Sequence, residues 1–156
     1  MSTAADFDFF IGTWAVKHRR LRERLVDCRD WDEFNGTTRT WKTLGGMGNC
    51  DDNYLELPGE HYHAMTLRTY DSTTAKWSIW WLDGRFPGRL DVPVVGGFID
   101  GVGTFYAADT LNGLPIAVRF SWHASADGTP RWEQAFSPDD GLNWETNWTM
   151  DFTRSD

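Results

Sequence analysis

The chain has few cysteines and no long apolar run. Its 156 residues include two cysteines, and residues 1–10 carry two Asp and no Lys or Arg, unlike a signal peptide. We therefore expect a cytoplasmic protein whose Cys28 and Cys50 stay reduced. No stretch approaches the roughly 18 consecutive apolar residues of a membrane-spanning helix, so we expect no membrane partner.

Basic residues are scarce relative to acidic ones. The 15 Lys and Arg stand against 23 Asp and Glu, and the net charge of -8 repels a phosphate backbone. We therefore expect no nucleic-acid partner. The chain also lacks a nucleophile elbow, a P-loop, a dinucleotide fingerprint, H-E-x-x-H and C-x-x-C. We expect no cofactor and no metal, although His61 and His63 share one face of a strand and further ligands are not evident.

Aromatic residues are abundant, with ten Trp and ten Phe. Turn residues recur every eight to twelve positions or so, and the segments between them are rich in Trp, Phe, Tyr, Val and Thr, which predicts strands. We predict ten strands in a single all-β domain over residues 1–156, and one short helix from Thr3 to Ile11. The predicted strands cover residues 13–25, 32–44, 48–57, 61–70, 76–82, 92–99, 102–109, 114–124, 131–137 and 143–154. Ten strands with short connections favour a closed antiparallel up-and-down β-barrel, because closure removes exposed edges.

The last three predicted strands alternate between apolar and polar residues, which predicts an apolar interior and a solvated exterior. The predicted inner residues are Leu114, Ile116, Val118, Phe120, Trp122, Trp132, Gln134, Phe136, Trp144, Thr146, Trp148, Met150 and Phe152. The predicted outer residues are Arg119, His123, Glu133, Glu145, Asn147 and Asp151.

Several motifs resemble those of known barrels. Gly12-Thr13-Trp14 follows the predicted helix, and Arg154 lies near the end of the last strand, as in the lipocalin and fatty-acid-binding group of calycin barrels. In that group the Trp lies across the barrel floor beneath an Arg of the final strand. Longer segments resemble bacterial proteins of the DUF1579 type: residues 7–14, 18–21, 45–49, 101–106 and 131–137. This resemblance spans most of the chain and implies a calycin-like barrel, but it implies no reaction.

The first strand departs from the G-x-W-x-G-x-G start of nitrobindin-like barrels, because Ala15 to His18 follow Trp14. We therefore expect no haem. If Trp14 faces inward, alternation places His18 and Arg20 in the cavity, where they form the best candidate for chemistry. A bulge in the first strand would instead turn both outward. Arg22 and Arg24 are expected on an exposed basic edge.

The strand around Trp77 to Leu82 has a Trp on each face and ends in Asp83 and Arg85, which predicts residues lining the barrel mouth. Asp83 is expected either to orient His18 or to pair with Arg85.

Two functions follow from these residues. The first is binding of a small hydrophobic or aromatic molecule, either anionic or uncharged, in the cavity, with Trp80, Arg85, Trp122, Gln134 and Trp148 as contacts. The second is cofactor-free isomerase, cyclase or lyase chemistry, with His18, Arg20 and Asp83 as catalytic residues. A barrel filled by its own side chains is the structural alternative. The sequence leaves the oligomeric state open, a homodimer included.

Overall fold

Ten antiparallel strands close into one barrel in the computed structural model, which describes residues 1–155. The strands are β1 (Gly12–Leu21), β2 (Trp31–Thr43), β3 (Gly48–Leu55), β4 (Tyr62–Asp71), β5 (Lys76–Asp83), β6 (Val94–Ile99), β7 (Val102–Leu111), β8 (Leu114–His123), β9 (Arg131–Ser137) and β10 (Glu145–Arg154). Each strand pairs with its neighbours in sequence, and β1 pairs with β10 to close the barrel. The all-β up-and-down barrel predicted from the sequence is confirmed, and it is consistent with a calycin-like fold.

The predicted N-terminal helix is shorter than expected. Thr3 to Ile11 contains turns followed by a single 3₁₀-helix, Asp8–Phe10. Phe7 and Phe10 are both buried inside the barrel. Residues that are three apart lie on the same side of a 3₁₀ turn, so this tighter helix buries both rings without a longer α-helix.

Trp14 and Arg154 close one end of the barrel, as the sequence predicts. The Arg154 guanidinium lies 4.3 Å from the centre of the Trp14 ring. Arg154 donates hydrogen bonds to the backbone oxygens of Ile11 and Phe9 at 3.0 and 3.1 Å, and the Trp14 indole donates to the Phe10 oxygen at 2.9 Å. We call this end the floor and the opposite end, where β1 finishes, the mouth.

Aromatic side chains and one ion pair fill the floor half of the interior. Phe7 contacts the rings of Trp77, Phe98 and Trp122 at centroid distances of 4.9, 4.9 and 5.8 Å. Arg68 donates a 2.7 Å hydrogen bond to the Asp51 carboxylate, and both side chains are buried. The remaining space is a deep cavity of about 30 Å³, which is room for about two water molecules.

A β-bulge in β10 corrects part of the predicted register. The pairing with β9 shifts between Thr146 and Trp148, so Asn147 is the extra residue and is fully buried, where an outer position was expected. Trp144 precedes the bulge and lies outside the barrel, 4.4 Å from the Arg119 guanidinium. The prediction that Trp144 faces inward is therefore wrong, because one inserted residue exchanges the two faces.

Candidate ligand-binding site at the barrel mouth

A pocket of about 280 Å³ occupies the mouth half of the barrel. Strands β1, β4, β5 and β8 to β10 supply most of its wall, and the loops 22–30 and 84–93 supply the rest. Its lining residues are Arg20, Arg24, Tyr62, Trp81, Asp83, Arg85, Phe86, Arg89, Asp91, Phe120, Trp132, Gln134, Phe136 and Trp148.

The loop 84–93 contributes because β6 is short. β5 and β6 share three residue pairs, Trp77 with Gly96 through Ile79 with Val94, all in the floor half. The mouth half of β5 continues beyond this ladder, and the loop crosses beside it, donating a backbone hydrogen bond from Asp91 to Trp81 at 3.0 Å. The loop thus completes the wall between β5 and β7.

Four of the aromatic rings that line the pocket pack against one another, and Phe86 and Phe136 line it beside them. Trp148 meets Trp81 and Trp132 edge to face, at centroid distances of 5.6 and 5.3 Å. Phe120 contacts Trp132 in the same way at 5.0 Å. Trp81, Phe120 and Trp132 also line the deep cavity, so these three rings separate the two spaces. We call Trp81, Phe120, Trp132 and Trp148 the aromatic box.

Arg20 reaches the pocket because the alternation of β1 continues without a bulge. Its Nη1 donates a 2.8 Å hydrogen bond to the Tyr62 hydroxyl. Its guanidinium lies 4.7 Å from the centre of the Trp148 ring, because Arg20 and Trp148 are directly paired across β1 and β10. The predicted inward orientation of Arg20 is thus present in the structure.

Arg24 lies in the pocket rather than on the exposed edge expected from the sequence. β1 ends at Leu21, and the following loop folds back over the mouth. The Leu25 backbone donates to the Glu145 carboxylate at 2.8 Å, which holds the loop against β10. Burial, and then the charge of Arg20, lowers the pKa of Arg24 to about 10.

Asp83 pairs with Arg85, the second of the two partners considered for it. Arg85 donates to both carboxylate oxygens, at 3.1 and 2.8 Å, and its guanidinium lies 3.8 Å from the centre of the Tyr62 ring. Burial raises the pKa of Asp83, but the hydrogen bonds from Arg85 outweigh it and hold this pKa below its ordinary value. Asp83 is therefore an ionised partner of Arg85.

His18 faces inward but does not line the pocket. Its Nδ1 accepts a 3.1 Å hydrogen bond from the Trp148 indole, and its ring stacks on Phe34 at 4.6 Å. Because an indole N–H only donates, the neutral imidazole carries its proton on Nε2. Burial, and then the charge of Arg20, lowers the pKa of His18 from 6.5 to about 3. His18 is thus a neutral support behind Trp148.

The other predicted contacts divide between three places. Gln134 and Trp148 line the mouth pocket, whereas Trp122 lines the deep cavity near the floor. Trp80 lines neither, because it lies on the opposite face of β5 from Trp81. Period-two alternation counted back from Asp83 could have identified Trp81 from the sequence.

The histidine pair lies outside the barrel. The Tyr54 hydroxyl is 2.8 Å from His61 Nδ1, and the Tyr54 ring lies 5.0 Å from that of His63. Within residues 1–155, no group of three or more His, Cys, Asp or Glu side chains is placed to hold a metal ion.

None of the helices described in this chain is long and apolar enough to cross a bilayer. The chain was also compared with protein-family models and with curated proteins, and neither comparison found a match.

Proposed function

We propose that the mouth pocket binds a small, largely apolar or aromatic molecule. The observation that carries this proposal is the aromatic box, whose rings face a pocket that eight polar or charged side chains also line. Small-molecule sites in proteins combine aromatic walls with polar groups that orient the ligand, and their volumes are typically about 300 to 1,000 Å³. At about 280 Å³, the pocket suits a compact ligand of one or two rings.

Acid–base catalysis by His18, Arg20 and Asp83 has weaker support. The indole of Trp148 donates a hydrogen bond to Nδ1 of His18, so this nitrogen is not free to accept a proton from a ligand. A pKa of about 3 also makes the imidazole a poor base near neutral pH. Arg85 holds Asp83 through two hydrogen bonds. The three side chains therefore do not converge on one point of the pocket, as an acid–base site requires.

We also propose that the chain is a cytoplasmic calycin barrel of the DUF1579 type. The contact between Trp14 and Arg154 at the floor supports this proposal, together with the sequence segments that resemble that family. This proposal about the family does not indicate which ligand is bound.

Titration of the protein with 2-naphthamide, a neutral two-ring molecule, tests the binding proposal. Calorimetry should detect saturable binding of one molecule per chain. Trp148→Ala should weaken it about tenfold or more, because a wall of the aromatic box is lost. Trp144→Ala is the matched control, since it removes the same side chain from the outer surface next to Arg119.

Two results would contradict the proposal. One is the absence of binding by the folded wild-type protein. The other is an equal loss of affinity in the two variants, because Trp144 lies outside the barrel. Thermal melting of each variant separates a lost contact from a lost fold.

A further inference from the structure

Two arginines that line the mouth pocket, Arg20 and Arg24, form no salt bridge with a carboxylate in the described part of the chain. Among the ion pairs within residues 1–155, none includes Arg20 or Arg24. Arg85 differs, because Asp83 and Glu60 both pair with it, at 2.8 and 3.4 Å. Arg85 therefore has carboxylate partners within salt-bridge distance, whereas the carboxylates that act on Arg20 and Arg24, Asp83 and Glu145, form no salt bridge with them.

Arg24 has an unused donor inside the protein. Its Nε atom is buried and has no hydrogen-bond partner, and its guanidinium lies 5.7 Å from the Phe136 ring. Buried polar groups are almost always hydrogen-bonded, so an orphan donor on a charged side chain calls for an explanation. The nearby Glu145 carboxylate accepts from the Leu25 backbone through Oε1 and forms no salt bridge with Arg24.

The two guanidiniums also repel each other. Both line the same pocket, and burial and then the charge of Arg20 lower the pKa of Arg24, whereas Tyr62 and Glu145 act in the opposite direction with smaller effect. Two partly buried like charges in an aromatic pocket are costly unless an anion lies between them. Tyr62 binds Arg20 through its neutral hydroxyl and does not supply that charge.

We propose that the ligand of the mouth pocket is an aromatic acid whose oxyanion binds between Arg20 and Arg24 while its ring packs in the aromatic box. This inference rests on the proposed function and adds the charge and the orientation of the ligand. Guanidinium groups bind carboxylate and phosphate oxygens through paired N–H donors, which selects this kind of head group. The contacts of Arg20 with Tyr62 and Trp148 hold its guanidinium in place beforehand, which reduces the ordering cost of binding.

The charge of the lining agrees with an anionic ligand. The pocket is lined by four arginines, Arg20, Arg24, Arg85 and Arg89, and by two aspartates, Asp83 and Asp91, which leaves two positive charges in excess. This excess is local, since the chain as a whole carries a net charge of -8.

The test compares 2-naphthoate with 2-naphthamide, which have nearly the same shape and differ by one charge. Calorimetry at pH 7 should show that the wild-type protein binds naphthoate at least tenfold more tightly than naphthamide. Arg20→Gln and Arg24→Gln should each weaken naphthoate binding at least tenfold and change naphthamide binding less than threefold. Arg19→Gln is the control, because Arg19 lies next in sequence on the outer face of the same strand and is exposed.

The outcomes separate the two proposals. Equal affinity of the wild-type protein for both probes would overturn the anion site and leave the binding proposal intact. Failure of both probes to bind would overturn both. Parallel loss of both probes in the Gln variants would also overturn the anion site, since the arginines would then only shape the pocket. A third probe, 2-naphthyl phosphate, distinguishes the head groups: tighter binding than naphthoate identifies a phosphate ester, and weaker binding identifies a carboxylate.

Discussion

The buried imidazole of His18 should make the protein less stable in mild acid. In the folded state burial and the charge of Arg20 hold the pKa of His18 at about 3, whereas the unfolded chain has the ordinary value of 6.5. Between these two values the unfolded state binds a proton that the folded state does not, so the free energy of unfolding rises with pH and falls as the solution is acidified.

The size of this effect follows from the two pKa values. At pH 5 the unfolded imidazole lies about 1.5 units below its pKa, and each unit corresponds to about 1.4 kcal/mol. Acidification from pH 7 to pH 5 should therefore remove about 2 kcal/mol of stability through His18 alone. This range lies above the folded-state pKa, so the imidazole of the folded protein stays unprotonated throughout and only the unfolded chain takes up the proton.

His18→Asn removes the titrating group. The amide oxygen of Asn and the Nδ1 atom of His are both two bonds from Cβ, so this oxygen can accept the hydrogen bond from Trp148 in place of Nδ1. Urea unfolding at pH 7, 6 and 5 should show that the variant loses about 2 kcal/mol less than the wild type across this range. Its lower stability at pH 7, caused by the lost ring, does not affect this comparison. His123→Asn, at an exposed position near the floor, is the control for loss of an imidazole. Parallel curves for wild type and His18→Asn would refute the reasoning.

Three further predictions concern the barrel itself. Trp14→Ala should cost about 3 to 5 kcal/mol in urea unfolding, because the side chain is 1% exposed, and a cost below about 1 kcal/mol would contradict its place in the floor. Gly96→Ala should strongly destabilise or prevent folding, since a Cβ there would lie 1.9 Å from a backbone oxygen, whereas Gly88→Ala, in open space, should change the melting temperature little. Arg68→Met should cost about 3 to 5 kcal/mol, because the buried Asp51 carboxylate loses its counter-ion and keeps only the hydrogen bonds from Asn53 and the Thr66 backbone. Adding Asp51→Leu should recover part of this loss, and further loss in the double variant would argue against an uncompensated charge as the cause.

Local patterns in the sequence predict most of the barrel. Turn residues and period-two alternation are local properties, and they were sufficient for ten strands and for the inward side chains of β1 up to Arg20. The bulge at Asn147 is different, because its inserted residue has no signature in the polar and apolar pattern of β10. The pocket position of Arg24 depends on a hydrogen bond between Leu25 and Glu145, which are 120 residues apart, and no local pattern reports such a contact.

The filled half of the barrel limits the shape of any ligand in the mouth pocket. Below the rings of Trp81, Phe120 and Trp132, the interior offers about 30 Å³ beside the paired charges of Arg68 and Asp51. A long acyl chain would have to separate these rings and pack its methylene groups against an ion pair. The close contacts between the rings would be lost, and the methylene groups would not compensate for them. A flat molecule of one or two rings needs neither change, because it packs above the three rings and against Trp148. If the mouth pocket binds a small molecule as proposed, we therefore expect compact aromatic ligands to bind better than extended lipids.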